Sequence, residues 1–304
     1  MVSAEADAHA RAVLAKATRE NFPVAPGFLP REWRDDLMAV YGYARLVDDI
    51  GDGDLAPGGR DAKYLGLGPD WGSDQGADRL AMLDAFEADL RRLFDDGISG
   101  PGHPLLRALA PTVRRSNLTP EPFLALIEAN RQDQKVRRYA DHAELLQYCE
   151  LSANPVGHLV LAITGTATPQ RLRYSDDVCT GLQIVEHLQD VAEDLRRDRI
   201  YLPAEDMARF HVTETDLAAP RANASVRALL AAEAERARDL LSAGDPLVAG
   251  VHGRLKLLLA GFTGGGRAVL RAISRAGYDV LPGPPRATTR GLLREVAATL
   301  RRKG

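Results

Sequence analysis

Apolar residues recur at three- and four-residue intervals along most of the chain, the period of helices buried on one side. From residue 31 onward Trp33, Leu37, Val40, Tyr41, Ala44 and Val47 form one such stripe, and Pro30 is well placed as a first helical residue. Leu80, Leu83, Phe86, Leu90 and Leu93 form another over residues 78–94. Shorter amphipathic patterns predict helices over residues 4–19 and from Pro104 to Ala110 or a little beyond. A further helix is expected through Phe123, Leu126, Ile127 and Asn130, with Thr119 as its N-cap. The next begins near Asp141 and carries Leu145, Leu146, Tyr148 and Cys149, and Asn154-Pro155 should break or kink it before residues 159–163.

Ser175 is expected to cap a long helix with Asp176 and Asp177 in its first turn. Val178, Leu182, Val185, Leu188, Ala192 and Leu195 fall on one side of it, and Gln183, Glu186, Asp190, Glu193, Asp194 and Arg197 on the other. Helices over residues 226–241, 255–276 and 292–300 complete the pattern, with Gly261, Gly264, Gly265 and Gly266 read as sites of close helix packing. Residues 53–77 show no periodicity and read as a long surface loop, of a length often used for a lid. No segment alternates as a strand would, so the pattern predicts a single all-α domain spanning residues 1–304.

Composition narrows the function classes. A hydrophobic content of 45% suffices for a large core, and the net charge of −3 gives no general attraction to nucleic acid. Cys149 and Cys179 lack zinc spacing and sit in apolar stretches, as buried free thiols do. The acidic N-terminus lacks the apolar centre of a signal peptide, and no apolar run approaches the ~20 residues of a membrane span. The expectation is a cytoplasmic protein whose membrane contact, if any, is peripheral.

Two acidic clusters stand out. Asp48, Asp49 and Asp52 close the helix that carries Tyr41 and Arg45, and Gly51 and Gly53 should stop it. Negative charge at a helix C-terminus opposes the dipole there, so a counter-charge is expected. Glu186, Asp190 and Asp194 repeat the arrangement on successive turns of the second helix, followed by Arg199 and Tyr201. Carboxylates four residues apart project from one helix face, and two such faces across a cavity would offer hard oxygen ligands to Mg²⁺ and its usual phosphate partner. A single pair of this kind is more often a solvated face or an ion-pair partner. Arg45 has two readings, a salt bridge to the cluster or a phosphate clamp.

The run Tyr41-x-x-x-Arg45-x-x-Asp48-Asp49-x-x-Asp52, and Gln189-Asp190-Val191-x-Glu193-Asp194 followed by Arg199-Ile200-Tyr201-Leu202-Pro203, resemble the two signatures of the squalene and phytoene synthases. Asn21-Phe22, Asp133, Glu144-Leu145-Leu146-x-Tyr148-Cys149 and Tyr278-Asp279-Val280-Leu281 extend the likeness over most of the chain. Ser152-Ala153-Asn154-Pro155-Val156-Gly157, Gln189 and Asn130-Arg131-Gln132-Asp133-Gln134 are similar to the bacterial hopanoid-pathway branch.

The resemblance implies an isoprenoid synthase-type helical bundle around a central cavity. It implies Mg²⁺-dependent conversion of presqualene diphosphate to hydroxysqualene, with two or three ions and no NADPH. Metal ligands would be Asp48, Asp52, Glu186, Asp190 and Asp194, Glu186 standing where many relatives have Asn. Tyr41 and Tyr201 would join the aspartates in catalysis. Arg45, Asn21, Asp49, Asp133, Asn154, Gln189 and Arg199 would contact substrate. Pathway neighbours would be a presqualene diphosphate synthase and a flavin-dependent reductase. The glycines at 261–266 do not make a dinucleotide-binding spacing, which agrees with water rather than hydride as quencher. Alternatives are farnesyl diphosphate condensation, phytoene synthesis, a helical phosphohydrolase, and a non-catalytic isoprenoid-binding assembly partner.

Overall fold

The computed structural model describes residues 24–55, 59–68, 75–95 and 100–302; the helix expected over residues 4–19 and the candidate residue Asn21 lie outside them. Among the described residues the chain forms α1 (Arg31–Asp52), α2 (Arg60–Tyr64), α3 (Gln75–Arg91), α4 (Pro104–Arg115), α5 (Glu121–Gln132), α6 (His142–Ser152) and α7 (Asn154–Ile163). These are followed by α8 (Pro169–Arg196), α9 (Ala204–Arg209), α10 (Glu214–Leu217), α11 (Ala224–Ala243), α12 (Asp245–Ala249), α13 (Gly253–Arg275) and α14 (Thr289–Arg301). The fold is all-α. An isolated parallel bridge between Arg138 and Ile200 is the nearest approach to strand pairing among those residues.

The described residues divide into two units, one within Met1–Lys135 and His158–Ala167, the other within Val136–Gly157 and Thr168–Gly304. In the first, α3, α4 and α5 pack on α1. Tyr43, Leu46 and Val47 of α1 are fully buried there with Phe86 and Phe123. The Tyr43 ring meets Phe123 edge-on, with centroids 5.0 Å apart. Its hydroxyl donates to the Phe123 carbonyl at 2.8 Å, which satisfies a group that burial removes from water. Asp36, also buried, accepts from Thr112 at 2.6 Å and pairs with Arg115, tying α4 to the first half of α1.

Two boundaries here differ from expectation. The segment read as one long loop contains α2, because Asp61 and Ala62 are buried. The His103 Nδ1 accepts from the Leu105 N–H, so its Nε2 carries the proton and donates to Asp61 at 3.0 Å. A buried charge with a fixed partner anchors a turn that has no apolar period to reveal it. At α5, Pro120 rather than Thr119 occupies the cap position, and no side chain caps the helix. The Thr119 hydroxyl bonds the Glu121 carboxylate instead and holds its pKa below the usual range.

In the second unit α8 is the longest helix, and α6, α11 and α13 pack against it. It starts six residues before the expected Ser175. The Thr168 side chain accepts from the Arg171 N–H at 3.2 Å and Pro169 fills the first turn, while Ser175 is buried within the helix. Thr-Pro is the same start signal read at residues 119–120, and here it is the true one. The break between α6 and α7 falls at Ala153, so Asn154 and Pro155 open α7 rather than interrupt it. The glycines of α13 divide: a Cβ at Gly264 would lie 2.8 Å from the Val296 backbone and one at Gly266 2.6 Å from Leu182, but Gly261 has no neighbour within 4 Å. The thiols are free, Cys149 buried and Cys179 only half-buried, with burial pushing them up to about 12 and about 11.

Candidate active site

The first acidic row ends α1. Gly53, in the left-handed region at φ 73°, closes the helix by donating to the carbonyls of Asp49 and Ile50. Gly51, expected to stop the helix, lies inside it, because a side chain there would collide with Asn130. Asn130 of α5 donates to Asp48 at 3.2 Å and to the Leu126 carbonyl at 3.1 Å. Gln134 donates to the Gly51 carbonyl at 2.9 Å, one of the orphan acceptors a helix end leaves. Neither Asn130 nor Gln134 was among the expected site residues. Both stand in the Asn130–Gln134 run, of which only Asp133 is among the expected site residues.

The two neighbouring aspartates differ. Asp49 is buried at 1% exposure and pairs with Arg45 at 2.9 Å, the salt bridge that is one of the two readings of Arg45. Asp48 is exposed as a residue, yet protein atoms crowd its carboxyl group. The crowding pushes its carboxyl up to about 7; Asp52 and Asp49 add to the rise, while the Asn130 hydrogen bond and Arg45 oppose it. Asp52 is half-buried, one turn from Asp48, and no basic residue stands in the last turn of α1. Tyr41 is half-buried on the same helix, and Asp133 is buried at the C-terminal cap of α5.

The second row lies on α8 and the segment after it. Glu186 is exposed, and Asp190 and Asp194 are half-buried. Burial raises the pKa of Asp190, assisted by Glu193 and opposed by Arg197. Asp194 is pushed up to about 8 by burial and by the charge of Asp190, against the pull of Arg199. The Arg199 N–H donates to the Asp194 carbonyl at 2.8 Å, and the Ile200 N–H to the Arg137 carbonyl at 2.9 Å, which fixes the course of the segment leading to Tyr201.

A small pocket lined by His187, Val191, Asp194, Arg199, Ile200, Tyr201, Leu202 and Leu217 brings three of the expected residues together. His187 was not expected. It stacks on Tyr201 with centroids 3.8 Å apart, and burial pushes its pKa down to about 3, so it is a neutral ring at ordinary pH. Its spacing of seven from Asp194 places both on one face, a signal the acidic pattern concealed. Gln189 is buried and donates to the Pro285 carbonyl at 2.8 Å, while the Asn154 side-chain oxygen accepts from Thr180 at 3.0 Å. Both amides thus have protein partners. Among the described residues no three His, Cys, Asp or Glu side chains converge as a ready-made metal site.

Two helices of this all-α chain, α1 and α8, thus each carry aspartates one turn apart. The squalene/phytoene synthase family profile matches residues 15–292, and the chain belongs to that family. It is similar to the solved squalene synthase HpnC from Alicyclobacillus acidocaldarius, at 39% identity, covering 89% of this chain and 96% of that one with a TM-score of 0.72. It is 32% identical to a hydroxysqualene synthase of Rhodopseudomonas palustris over 76% of this chain and 70% of that protein. It is 30% identical to a phytoene synthase of Mycobacterium bovis over 88% of this chain and 82% of that protein. The chain is an enzyme of the squalene/phytoene type. Among its described residues no helix is long and apolar enough to cross a membrane.

Proposed function

We propose that the chain converts presqualene diphosphate and water to hydroxysqualene and diphosphate, using Mg²⁺. One observation carries the reading. In a member of this family, Asp48 and Asp52 on α1 and Asp190 and Asp194 on α8 keep like charges one turn apart, and one of each pair has its pKa raised to about 7 or about 8. Such rows cost stability unless a cation joins them. The donors are all carboxylate oxygens, which suits Mg²⁺. That ion commonly takes one or two carboxylates together with substrate phosphate rather than a closed protein cage.

In this proposal Asp48, Asp52, Glu186, Asp190 and Asp194 hold two or three ions. Bound there, Mg²⁺ supplies neutralisation of the charge that builds on the departing diphosphate. Arg199 donates to diphosphate oxygens, and Tyr201, held flat against His187, orients its hydroxyl toward them. Tyr41, Arg45, Asp49, Asp133, Asn154 and Gln189 position these groups; their protein partners make a supporting role the better reading for Arg45, Asp49, Asn154 and Gln189. The carbon–oxygen bond breaks with its electron pair leaving on the diphosphate. Water then forms the new carbon–oxygen bond and gives up a proton, so no hydride donor is needed. A presqualene diphosphate synthase would supply the substrate and a flavin-dependent reductase would consume the product.

Incubation of purified protein with presqualene diphosphate and Mg²⁺, without nicotinamide, tests the reading by mass spectrometry. Hydroxysqualene is expected; unreacted substrate contradicts it. The likeness to a phytoene synthase over 88% of this chain supports a second reading, condensation of two prenyl diphosphates. Parallel incubations with farnesyl and geranylgeranyl diphosphate separate the two.

A further inference from the structure

A pocket of about 280 Å³ in the second unit is lined by Arg238, Arg267, Arg271, Ser274, Glu295 and Arg302. None of the residues of the acidic rows is among them. The arginines come from α11, α13 and the end of α14, and the close fit of Gly264 against the Val296 backbone lets α13 and α14 approach. Four guanidinium groups therefore face one lining carboxylate.

The most telling of the four is Arg267, which is only 6% exposed. It donates to the Thr299 hydroxyl, the Leu241 carbonyl and Asp245, each at 2.8 Å. Its Nε is buried and has no hydrogen-bond partner among the described residues. A buried donor of a charged group left in this way is costly, so the guanidinium is held at the pocket wall by its three other bonds. Arg271 pairs with Glu295 and Arg302 with Asp245, both at 2.9 Å, while Arg238 pairs with Glu235 and bonds Tyr278. A guanidinium has five N–H donors and a carboxylate occupies at most two of them, so donors remain for a ligand. Four lining arginines against Glu235, Asp245 and Glu295 leave the pocket net positive, and Arg294, 3.5 Å from Glu295, adds to the excess.

We propose that this pocket is an anion site for a phosphoryl group, separate from the acidic rows and independent of the reaction assigned to them. Its volume lies below the ~300–1,000 Å³ usual for larger organic ligands, which suits a phosphate or diphosphate. The fork geometry of arginine matches phosphate oxygens two at a time. The same chemistry occurs in free phosphate and in the headgroup of an anionic lipid.

Inorganic phosphate and diphosphate are titrated calorimetrically into the full chain in EDTA at low salt. Chelation removes any metal-bridged binding at the acidic rows, so the outcome does not depend on the proposed reaction. A parallel arm sediments the protein with vesicles of phosphatidic acid or of phosphatidylcholine. Saturable binding of a free anion, weakened at least tenfold by Arg271→Glu and by Arg302→Ala but not by Arg114→Glu, supports the site. The exposed Arg271 and Arg302 keep the test clear of core damage, and circular dichroism verifies folding. Binding only to phosphatidic acid vesicles, lost in the same two variants, supports the site with a lipid as its source. No binding in either arm, or binding unchanged in both variants, overturns the proposal.

Discussion

Changing Gly51 to alanine isolates the device that holds the first acidic row. A methyl group at that position would occupy the space of the Asn130 side-chain amide. Asn130 must then move, losing its bonds to Asp48 at 3.2 Å and to the Leu126 carbonyl at 3.1 Å. A hydrogen bond to a charged group contributes about 1.5–3 kcal/mol and a neutral one about 1 kcal/mol, while crowding adds roughly 1–3 kcal/mol. Alanine in place of glycine within a helix returns about 1 kcal/mol. Because Asp48 is exposed, its bond belongs at the low end. Gly51→Ala should therefore destabilise by roughly 2.5–4.5 kcal/mol. Asn130→Ala, which loses the same two bonds without the crowding, should cost about 2.5 kcal/mol. The double variant vacates the contested space, so it should be no less stable than Asn130→Ala alone, a coupling of at least about 2.5 kcal/mol. Urea denaturation of the four proteins measures the cycle. Additivity within about 0.5 kcal/mol would refute the steric argument.

Four further outcomes are expected. Asp48→Asn and Asp194→Asn should each lower turnover roughly 10²-fold or more while leaving the fold intact by circular dichroism; near-normal turnover removes that residue from the proposed machinery. The raised carboxyls of Asp48 and Asp194 favour their neutral forms, so apparent Mg²⁺ affinity should climb as pH rises through about 7 and about 8, with proton release on binding; a pH-independent titration contradicts this. Glu233, 1% exposed and raised to about 7 by burial, is a group whose neutral form folding favours; the stability it contributes is present below its unfolded pKa and lost as pH rises through about 7. Glu233→Gln should accordingly raise Tm relative to wild type more at about pH 8.5 than at about pH 5, and the reverse order refutes the assignment. Thr168→Ala should cost about 1 kcal/mol of stability, whereas the same change at a site outside the helix start would not.

The helices and both acidic rows were legible because each leaves a periodic trace: an apolar stripe every three or four residues, or a carboxylate every turn. What escaped was written in other terms. The start of α8 at Thr168 was overlooked in favour of Ser175, since both are good caps and only packing distinguishes them; burial of Ser175 against the rest of its unit lengthens the helix backward. Turn α2 rests on one buried hydrogen bond from His103 to Asp61, residues 42 apart in sequence, and no local pattern announces such a contact. Asn130 and His187 have the same lesson for the site. One fixes Asp48 from 82 residues away and the other stacks on Tyr201 from the neighbouring segment, contacts that only the fold brings together. Arg45 stands beside its cluster and pairs with Asp49, the first of its two expected readings.

The most direct measurement of the proposed reaction is turnover of presqualene diphosphate with Mg²⁺ in water carrying a heavy oxygen isotope. Ionisation followed by water capture predicts hydroxysqualene with the heavy oxygen in its alcohol, none in the released diphosphate, and loss of both products in Asp48→Asn. An unrearranged alcohol without the isotope, with the heavy oxygen on the phosphate, would mean attack at phosphorus and contradict the account.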